Sequence, residues 1–294
     1  MIVKQRVAGS LRDYAALTKP HIILLLLVTT VPAMVLAADG WPGAWVITAT
    51  LVGGAMAAGG AASVNMYVDR DIDALMTRTQ GRPIPAGRIP ADHALVLGLA
   101  LGFGACTWLW ITVTATAAIL ALLGFVHYAF IYSVYLKRRT PHNTVLGGIA
   151  GALPPMVGWA AVTDSVTLEA VVLFAIVFCW QPAHFWALAI RLEQDYRRAH
   201  IPMMPVIAGQ QETRRQIVLY SVATVATTVL LGAVMEFGWF YFGAALLSGA
   251  QLIASSIRMY RTPLHDNGTH LFRYSTTYLT IVFLAMALER LLPF

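Results

Sequence analysis

The chain has 294 residues, 58% of them hydrophobic and only 12% charged, whereas soluble domains carry about 45–50% apolar and about 25% charged residues. A water-soluble globular fold is excluded. The net charge of +6 would suit nucleic acid, but in so apolar a chain a basic excess reflects loops held on one side of a membrane, and no nucleic-acid partner is expected. Cys106 and Cys179 both lie in apolar runs without paired spacing, which argues against a disulfide framework or a thiolate metal site.

A hydrocarbon layer about 30 Å thick needs roughly 20 apolar residues per helix. Nine runs near that length occur, at about 22–38, 44–64, 93–113, 116–136, 145–163, 168–189, 217–235, 238–257 and 272–291. The weakest boundary is Thr112 to Thr116, which we read as a tight outer turn. The predicted fold is all-α: one transmembrane domain over 1–294, nine helices bundled around a central cavity, with a tail at 1–21 and long loops at 66–92 and 189–216.

With the amino terminus inside, Lys4, Arg6, Arg12 and Lys19 fall in the tail, and Arg70, Arg78, Arg82 and Arg88 in the loop after span two. Lys137, Arg138 and Arg139 follow span four, five arginines follow span six, and three follow span eight. Nineteen of the 20 basic residues are then inside and only Arg290 is outside, while Asp39, Asp164, Glu169, Glu236 and Glu289 occupy the opposite loops. One missed helix would swap the sides of every later loop, so the bias supports nine spans with the amino end in the cytoplasm and the carboxyl end outside. A basic head before an apolar stretch ending at Leu36-Ala37-Ala38 has the outline of a cleaved signal, but the side count needs that run retained as a span.

The two long inner loops are where function is sought, and they echo one another. Asp73 is followed by Pro83-Ile84-Pro85, and Asp195 by Pro202-Met203-Met204-Pro205, a hint of a duplicated four-helix unit.

The first constellation is Asn65-Met66-Tyr67-Val68-Asp69-Arg70-Asp71-Ile72-Asp73. On a helix continuing span two, Asn65, Asp69 and Asp73 recur every four positions on one face. Acids that repel at this spacing invite a cation between them, and hard oxygen ligands suit Mg²⁺, which is bound through one or two carboxylates together with substrate phosphates. A diphosphate substrate follows. A solvated acidic helix end is the plainer alternative, and Asp71 falls on another face. Arg78 and Arg82 come next in a turn-rich stretch ending Arg82-Pro83; guanidinium binds phosphate oxygens bidentately, so they serve a departing diphosphate or anchor lipid headgroups.

Span four ends in Tyr132-Ser133-Val134-Tyr135-Leu136-Lys137-Arg138-Arg139-Thr140-Pro141-His142-Asn143, where the basic triplet is also what topology alone would supply. In span six, Trp180-Gln181-Pro182-Ala183-His184-Phe185-Trp186 places Pro182 to kink the helix and His184 among apolar residues. His184, Leu188, Arg191 and Asp195 would share one face, a polar stripe climbing to the inner end. An ionisable group within a span usually faces an interior cavity. His184 is therefore a haem-iron ligand, a hydrogen-bond donor to substrate, or a histidine bonded to a neighbouring helix.

Together these blocks resemble the UbiA superfamily of intramembrane prenyltransferases, over nearly the whole chain. The Asn-xxx-Asp-xxx-Asp pattern marks the superfamily. Asp69-x-Asp71-x-Asp73-Ala74-x-Met76-x-Arg78-Thr79, Tyr135-Leu136-Lys137-Arg138-Arg139-Thr140 with Asn143, Trp180-Gln181-Pro182-x-His184-Phe185 and Asp195-Tyr196 with Ile201-Pro202-Met203-Met204-Pro205 are similar to its haem-farnesylating branch, as is the Gly147-Gly148 to Pro154-Pro155 to Gly158-Trp159 run. The resemblance implies farnesyl transfer from farnesyl diphosphate to a vinyl group of haem b with water addition, giving haem O for haem-copper oxidases, in a bacterial cytoplasmic membrane. It implies Mg²⁺ on Asn65, Asp69, Asp73 and Asp195, with Lys137 and Arg138 joining Arg78 and Arg82 on the diphosphate. Aromatic faces such as Tyr67, Tyr132 and Tyr135 would stabilise an allylic cation, Tyr196 and His184 would contact substrate, and haem A synthase or terminal-oxidase assembly factors would be protein partners. Two departures stand out. Arg191 lies four residues before Asp195 where an Asp is common, which puts a second Mg²⁺ in doubt, and His200 stands where similar proteins often carry a small residue. A superfamily relative acting on a quinone precursor or chlorophyllide, a transporter, and a haem-binding electron carrier are the competing readings; His127 and His184 are the intramembrane histidines available to the last.

Overall fold

The computed structural model describes residues 9–262 and 265–292, apart from the side chains of 21–27, 265 and 266. Lys4 and Arg6 of the predicted tail lie outside these residues. A short capped helix α1 (Leu11–Leu17) precedes α2 (Pro20–Ala37) and α3 (Ala44–Val68), followed by a six-residue helix α4 (Arg70–Leu75). Next come α5 (Ala91–Thr112) and α6 (Ala115–Val126), the latter continuing as a π-helical segment, His127–Leu136, then α7 (Asn143–Thr163) and α8 (Leu168–Arg191). After α8 the chain forms α9 (Glu193–Arg198), α10 (Met204–Ile207), α11 (Gly209–Val234), α12 (Trp239–Arg261) and α13 (His265–Leu291). No strand occurs among the described residues.

Eight of these helices are long and apolar enough to cross a membrane, counting α6 with its π-helical continuation as one, Ala115–Leu136. The protein is a multi-pass membrane protein. Helix α2 stands where the first span is expected, with Val28–Ala37 as its described apolar stretch. The predicted outer turn is present: α5 ends at Thr112, and the Thr114 hydroxyl caps α6 by accepting from the Ala117 N–H at 3.2 Å. Helix α8 runs on through Pro182, since within a membrane neighbouring helices and local adjustment can meet the carbonyl that a proline frees.

Small residues decide how the helices meet, because lipid offers no hydrophobic drive to push them together. A β-carbon on Gly60 would stand 2.7 Å from both the Gly102 nitrogen and the Gly98 oxygen, so α3 and α5 touch backbone to backbone. Gly158 brings α7 equally close to the Thr30 carbonyl of α2. Around these contacts one apolar core runs through Met34, Trp159, Leu173, Ile176, Trp186 and Phe283. Helix α13 packs against α2 and α8, closing the bundle. Arg290 reaches Asp39 at 3.4 Å and the Met235 carbonyl at 2.6 Å, so the one basic residue that the charge count set apart sits with an acid assigned to the same side.

The two long loops share a plan. In each, a long span breaks at one residue, Asp69 or Leu192, and resumes as a six-residue helix, α4 or α9. Helical spacing carries through the second break, the Leu192 N–H donating to the Leu188 carbonyl and the Tyr196 N–H to the Leu192 carbonyl, at 3.2 and 3.1 Å. Along the expected polar stripe of span six the partners divide: His184 and Arg191 bond to α13, through Ser275 and Thr269, and Asp195 meets Thr77 of the first loop. His200, unexplained in the sequence, has φ 54° and ends α9 with the Ile201 N–H donating back to the Tyr196 carbonyl at 3.0 Å. A left-handed position of this kind favours glycine.

Gly60→Ala should force α3 and α5 apart, since both obstructing atoms are backbone. We expect a loss of about 1–3 kcal/mol, read as a lowered unfolding midpoint in detergent; an unchanged midpoint would refute the close contact.

Candidate active site

The site begins where α3 leaves its apolar stretch. The Asp69 N–H donates to the Asn65 carbonyl at 2.9 Å and the Asp73 N–H to the Asp69 carbonyl at 2.8 Å, so helical spacing carries through the break and Asn65, Asp69 and Asp73 share a face. All three are buried, Asp69 completely. Burying a carboxylate costs several kcal/mol unless it is paired and hydrogen-bonded, and the surrounding elements supply the partners.

Lys137, one residue past the π-helical segment, donates to Asp69 Oδ2 at 2.5 Å, and Asn65 Nδ2 donates to the same oxygen at 2.7 Å. Arg82 Nη1 holds Asp73 Oδ2 at 2.6 Å. The Thr77 hydroxyl donates to Asp195 Oδ1 at 3.1 Å, with Arg198 3.7 Å from the same carboxylate. The first and second loops therefore meet over the site, and Asn143 Nδ2, donating to the Thr140 and Pro202 carbonyls at 2.7 and 3.5 Å, ties in the loop after span four.

One side chain absent from the expected set completes this cluster. Lys19 stands immediately before Pro20 with φ 51°, a left-handed conformation that costs a non-glycine residue about 1–3 kcal/mol, and its Nζ donates to Asn65 Oδ1 at 2.8 Å. Burial, reinforced by Arg82 and Lys137 nearby, lowers its ammonium from 10.5 to about 7. The sequence carried a usable signal: a lysine adjoining the first span rather than out in the tail. Helix α1 steers the chain there, packing Leu17 on Met66, Ile89 and Ala94 and pairing Asp13 with Arg88 at 2.7 Å.

Other predicted residues lie at the rim or elsewhere. Arg138 makes a two-pronged pair with Asp71, at 2.7 and 2.6 Å, in an exposed position, and its hydrogen bonds hold the Asp71 carboxyl below the usual carboxylate range. Arg78 is exposed and makes no hydrogen bond or ion pair among the described residues. Tyr67 and Tyr135 each carry an arginine over the ring, Arg70 at 4.5 Å and Arg139 at 4.2 Å. Tyr132 instead stacks on Tyr128 at 5.2 Å and lies against Gly147, where a β-carbon would collide with its ring. His184 is packed between Trp180 and Phe272, at 4.3 and 4.2 Å, with Nδ1 2.8 Å from the Ser275 hydroxyl; of its three readings the bond to a neighbouring helix is present.

Among the described residues no three His, Cys, Asp or Glu side chains gather as a metal site. The acids expected to share Mg²⁺ are each drawn to their own basic partner, the cheapest arrangement for buried carboxylates. The donor set nonetheless fits the ion, since Mg²⁺ relies on one or two carboxylates with waters and substrate phosphates rather than a full protein cage. Asp69 Oδ1 is buried without any hydrogen-bond partner, and an uncompensated carboxylate oxygen beside Asp73 and Asn65 is where a divalent cation would be stabilised.

The UbiA prenyltransferase family model matches residues 26–286. Among curated proteins, the chain is 48% identical over 280 residues to protoheme IX farnesyltransferase of Roseiflexus sp. (strain RS-1), covering 95% of this chain and 52% of the relative. It is 42% identical over 291 residues to protoheme IX farnesyltransferase of Clavibacter sepedonicus, covering 98% and 95%. The chain thus spans about half the length of the Roseiflexus relative. Among solved structures, a digeranylgeranylglyceryl phosphate synthase superposes with TM-score 0.79 at 14% identity, covering 95% of this chain and 98% of that one. A UbiA homolog from Archaeoglobus fulgidus bound to GPP and Mg²⁺ superposes with TM-score 0.66 at 15% identity, covering 93% and 99%; both likenesses are of fold.

Lys137→Met leaves Asp69 buried and unpaired, at a cost of about 3–5 kcal/mol. The variant's unfolding midpoint should fall sharply without divalent cation and recover in part with Mg²⁺ and a prenyl diphosphate. A midpoint equal to that of the parent protein would contradict the pairing.

Proposed function

Because the chain belongs to the UbiA prenyltransferase family, we propose that it transfers the farnesyl group of farnesyl diphosphate to a vinyl group of protohaem IX (haem b), with water addition, giving haem O and diphosphate. Relatives named protoheme IX farnesyltransferase, 42–48% identical over nearly the whole chain, support the acceptor. The observation that carries the reading is the buried Asp69 carboxylate with one free oxygen, ringed by Lys19, Arg82 and Lys137.

Asn65, Asp69, Asp73 and Asp195 would hold Mg²⁺, in keeping with the Mg²⁺ and GPP bound by the Archaeoglobus fulgidus homolog. When bound, the ion supplies electrostatic stabilisation to the diphosphate as negative charge grows on it. Lys19, Arg82 and Lys137 bind the remaining phosphate oxygens, with Arg78 and Arg138 drawing the substrate in from the rim. The farnesyl C–O bond breaks with its electron pair leaving on diphosphate. The Tyr132 ring, which packs against Gly147, would favour the allylic cation by about 0.5–2 kcal/mol. The haem vinyl π electrons form the new C–C bond, and water captures the resulting cation and loses a proton. Tyr196, beside Asp195, would contact substrate, and His184, bonded to Ser275, would hold α8 against α13 beneath the site. The inner bias of Lys and Arg supports a site facing the cytoplasm in the bacterial cytoplasmic membrane, from which haem O would pass to haem A synthase or to oxidase assembly factors.

Purified protein with farnesyl diphosphate, haem b and Mg²⁺ should form a product with the mass of haem O, and EDTA should abolish it. Asp69→Ala should reduce turnover by about 10²–10³. Full turnover in EDTA or in Asp69→Ala would overturn the metal–diphosphate site.

Lys19 adds a pH signature. With its ammonium lowered to about 7 in the substrate-free protein, the group is mostly neutral at pH 8, and an arriving anion raises its proton affinity. Diphosphate binding at pH 8 should therefore take up protons, detectable calorimetrically in buffers of different ionisation enthalpy. Lys19→Met should remove that uptake, and uptake unchanged in the variant would exclude Lys19 as its source.

A further inference from the structure

The π-helical segment contributes a residue to which neither the expected chemistry nor the family reading gives a role. Ser133 is fully buried, four residues before Lys137. Its hydroxyl donates its single proton to the Tyr128 carbonyl, five residues earlier, at 2.7 Å. That carbonyl is accessible because backbone bonds here span five residues, as in the Lys137 N–H to Tyr132 carbonyl bond of 2.9 Å. With the proton committed, the Ser133 oxygen can only accept, and it accepts from Asn65 Nδ2 at 3.0 Å.

This settles the orientation of the Asn65 amide. One Nδ2 hydrogen goes to Ser133 and the other to Asp69 Oδ2, so both donors are used and Oδ1 is turned toward Lys19. A flipped amide would set its oxygen against a hydroxyl lone pair and a carboxylate oxygen. We propose that Ser133 is a positioning residue that locks the Asn65 side chain with its oxygen, rather than its nitrogen, presented to the metal and diphosphate. The inference rests on the metal–diphosphate reading of the site.

The test is Mn²⁺ binding, followed by the loss of the free-ion paramagnetic resonance signal in the presence of farnesyl thiodiphosphate, with no haem and no turnover. Ser133→Ala should weaken Mn²⁺ about tenfold, the low end for an outer-shell partner of a metal ligand, whereas Ser133→Thr, which keeps the hydroxyl, should stay near the parent value. The decisive comparison is in an Asn65→Asp background. A carboxylate presents oxygen in either orientation, so adding Ser133→Ala there should change Mn²⁺ affinity by less than about twofold. An equal loss in both backgrounds would assign Ser133 to general packing and overturn the proposal, as would parent-like affinity in Ser133→Ala. Failure of the parent protein itself to bind Mn²⁺ with the thiodiphosphate would overturn the metal–diphosphate reading on which the inference stands.

Discussion

A carboxylate with no exposure to solvent, Asp69, sits at the membrane end of a helix, and the arrangement around it is the answer to that placement. An unpaired buried charge is among the most destabilising features a protein can carry. Lys137 and Asn65 converge on one of its oxygens, and each needs its own element delivered to the same point. The π-helical segment aims Lys137, α3 carries Asn65, and the strained backbone at Lys19 brings in a third polar group from the amino-terminal side. The helix packing below is thus subordinate to a polar requirement above it.

The apolar half of the molecule gives these polar contacts their rigidity. Backbone contact between α3 and α5 at Gly60, and between α7 and α2 at Gly158, leaves the spans little freedom to slide. The Trp180–His184–Phe272 stack fastens α8 to α13. Loops ride on this frame: the Thr77–Asp195 bond joins two segments 118 residues apart in sequence.

Much of this was legible in the amino-acid order, for identifiable reasons. Span lengths follow from bilayer thickness, and the common face of Asn65, Asp69 and Asp73 follows from helical periodicity. The rest depended on information that periodicity does not hold. Nothing in Arg138 distinguishes a rim residue paired with Asp71 from an interior one, since both satisfy the same side rule. The polar stripe of span six divides its partners, His184 and Arg191 meeting α13 and Asp195 meeting Thr77, and spacing along one helix does not say which neighbour packs there. Lys19 was counted only as a topological charge because its reach into the site depends on a left-handed backbone and on α1 packing over the first loop. The His184 environment was open between three readings because a buried imidazole looks the same in sequence whether it meets substrate or a neighbouring serine.

The π-helical segment also acts as a phase setter. Residues on an ordinary helix are separated by about 100° of rotation, whereas in a ten-residue stretch bonded five residues apart each residue turns the chain by less. Were the same ten residues wound as an ordinary helix, Lys137, the partner of Asp69, would face a different side of the bundle. The winding of this stretch is therefore a requirement of the site separate from the chemistry of the side chains it carries.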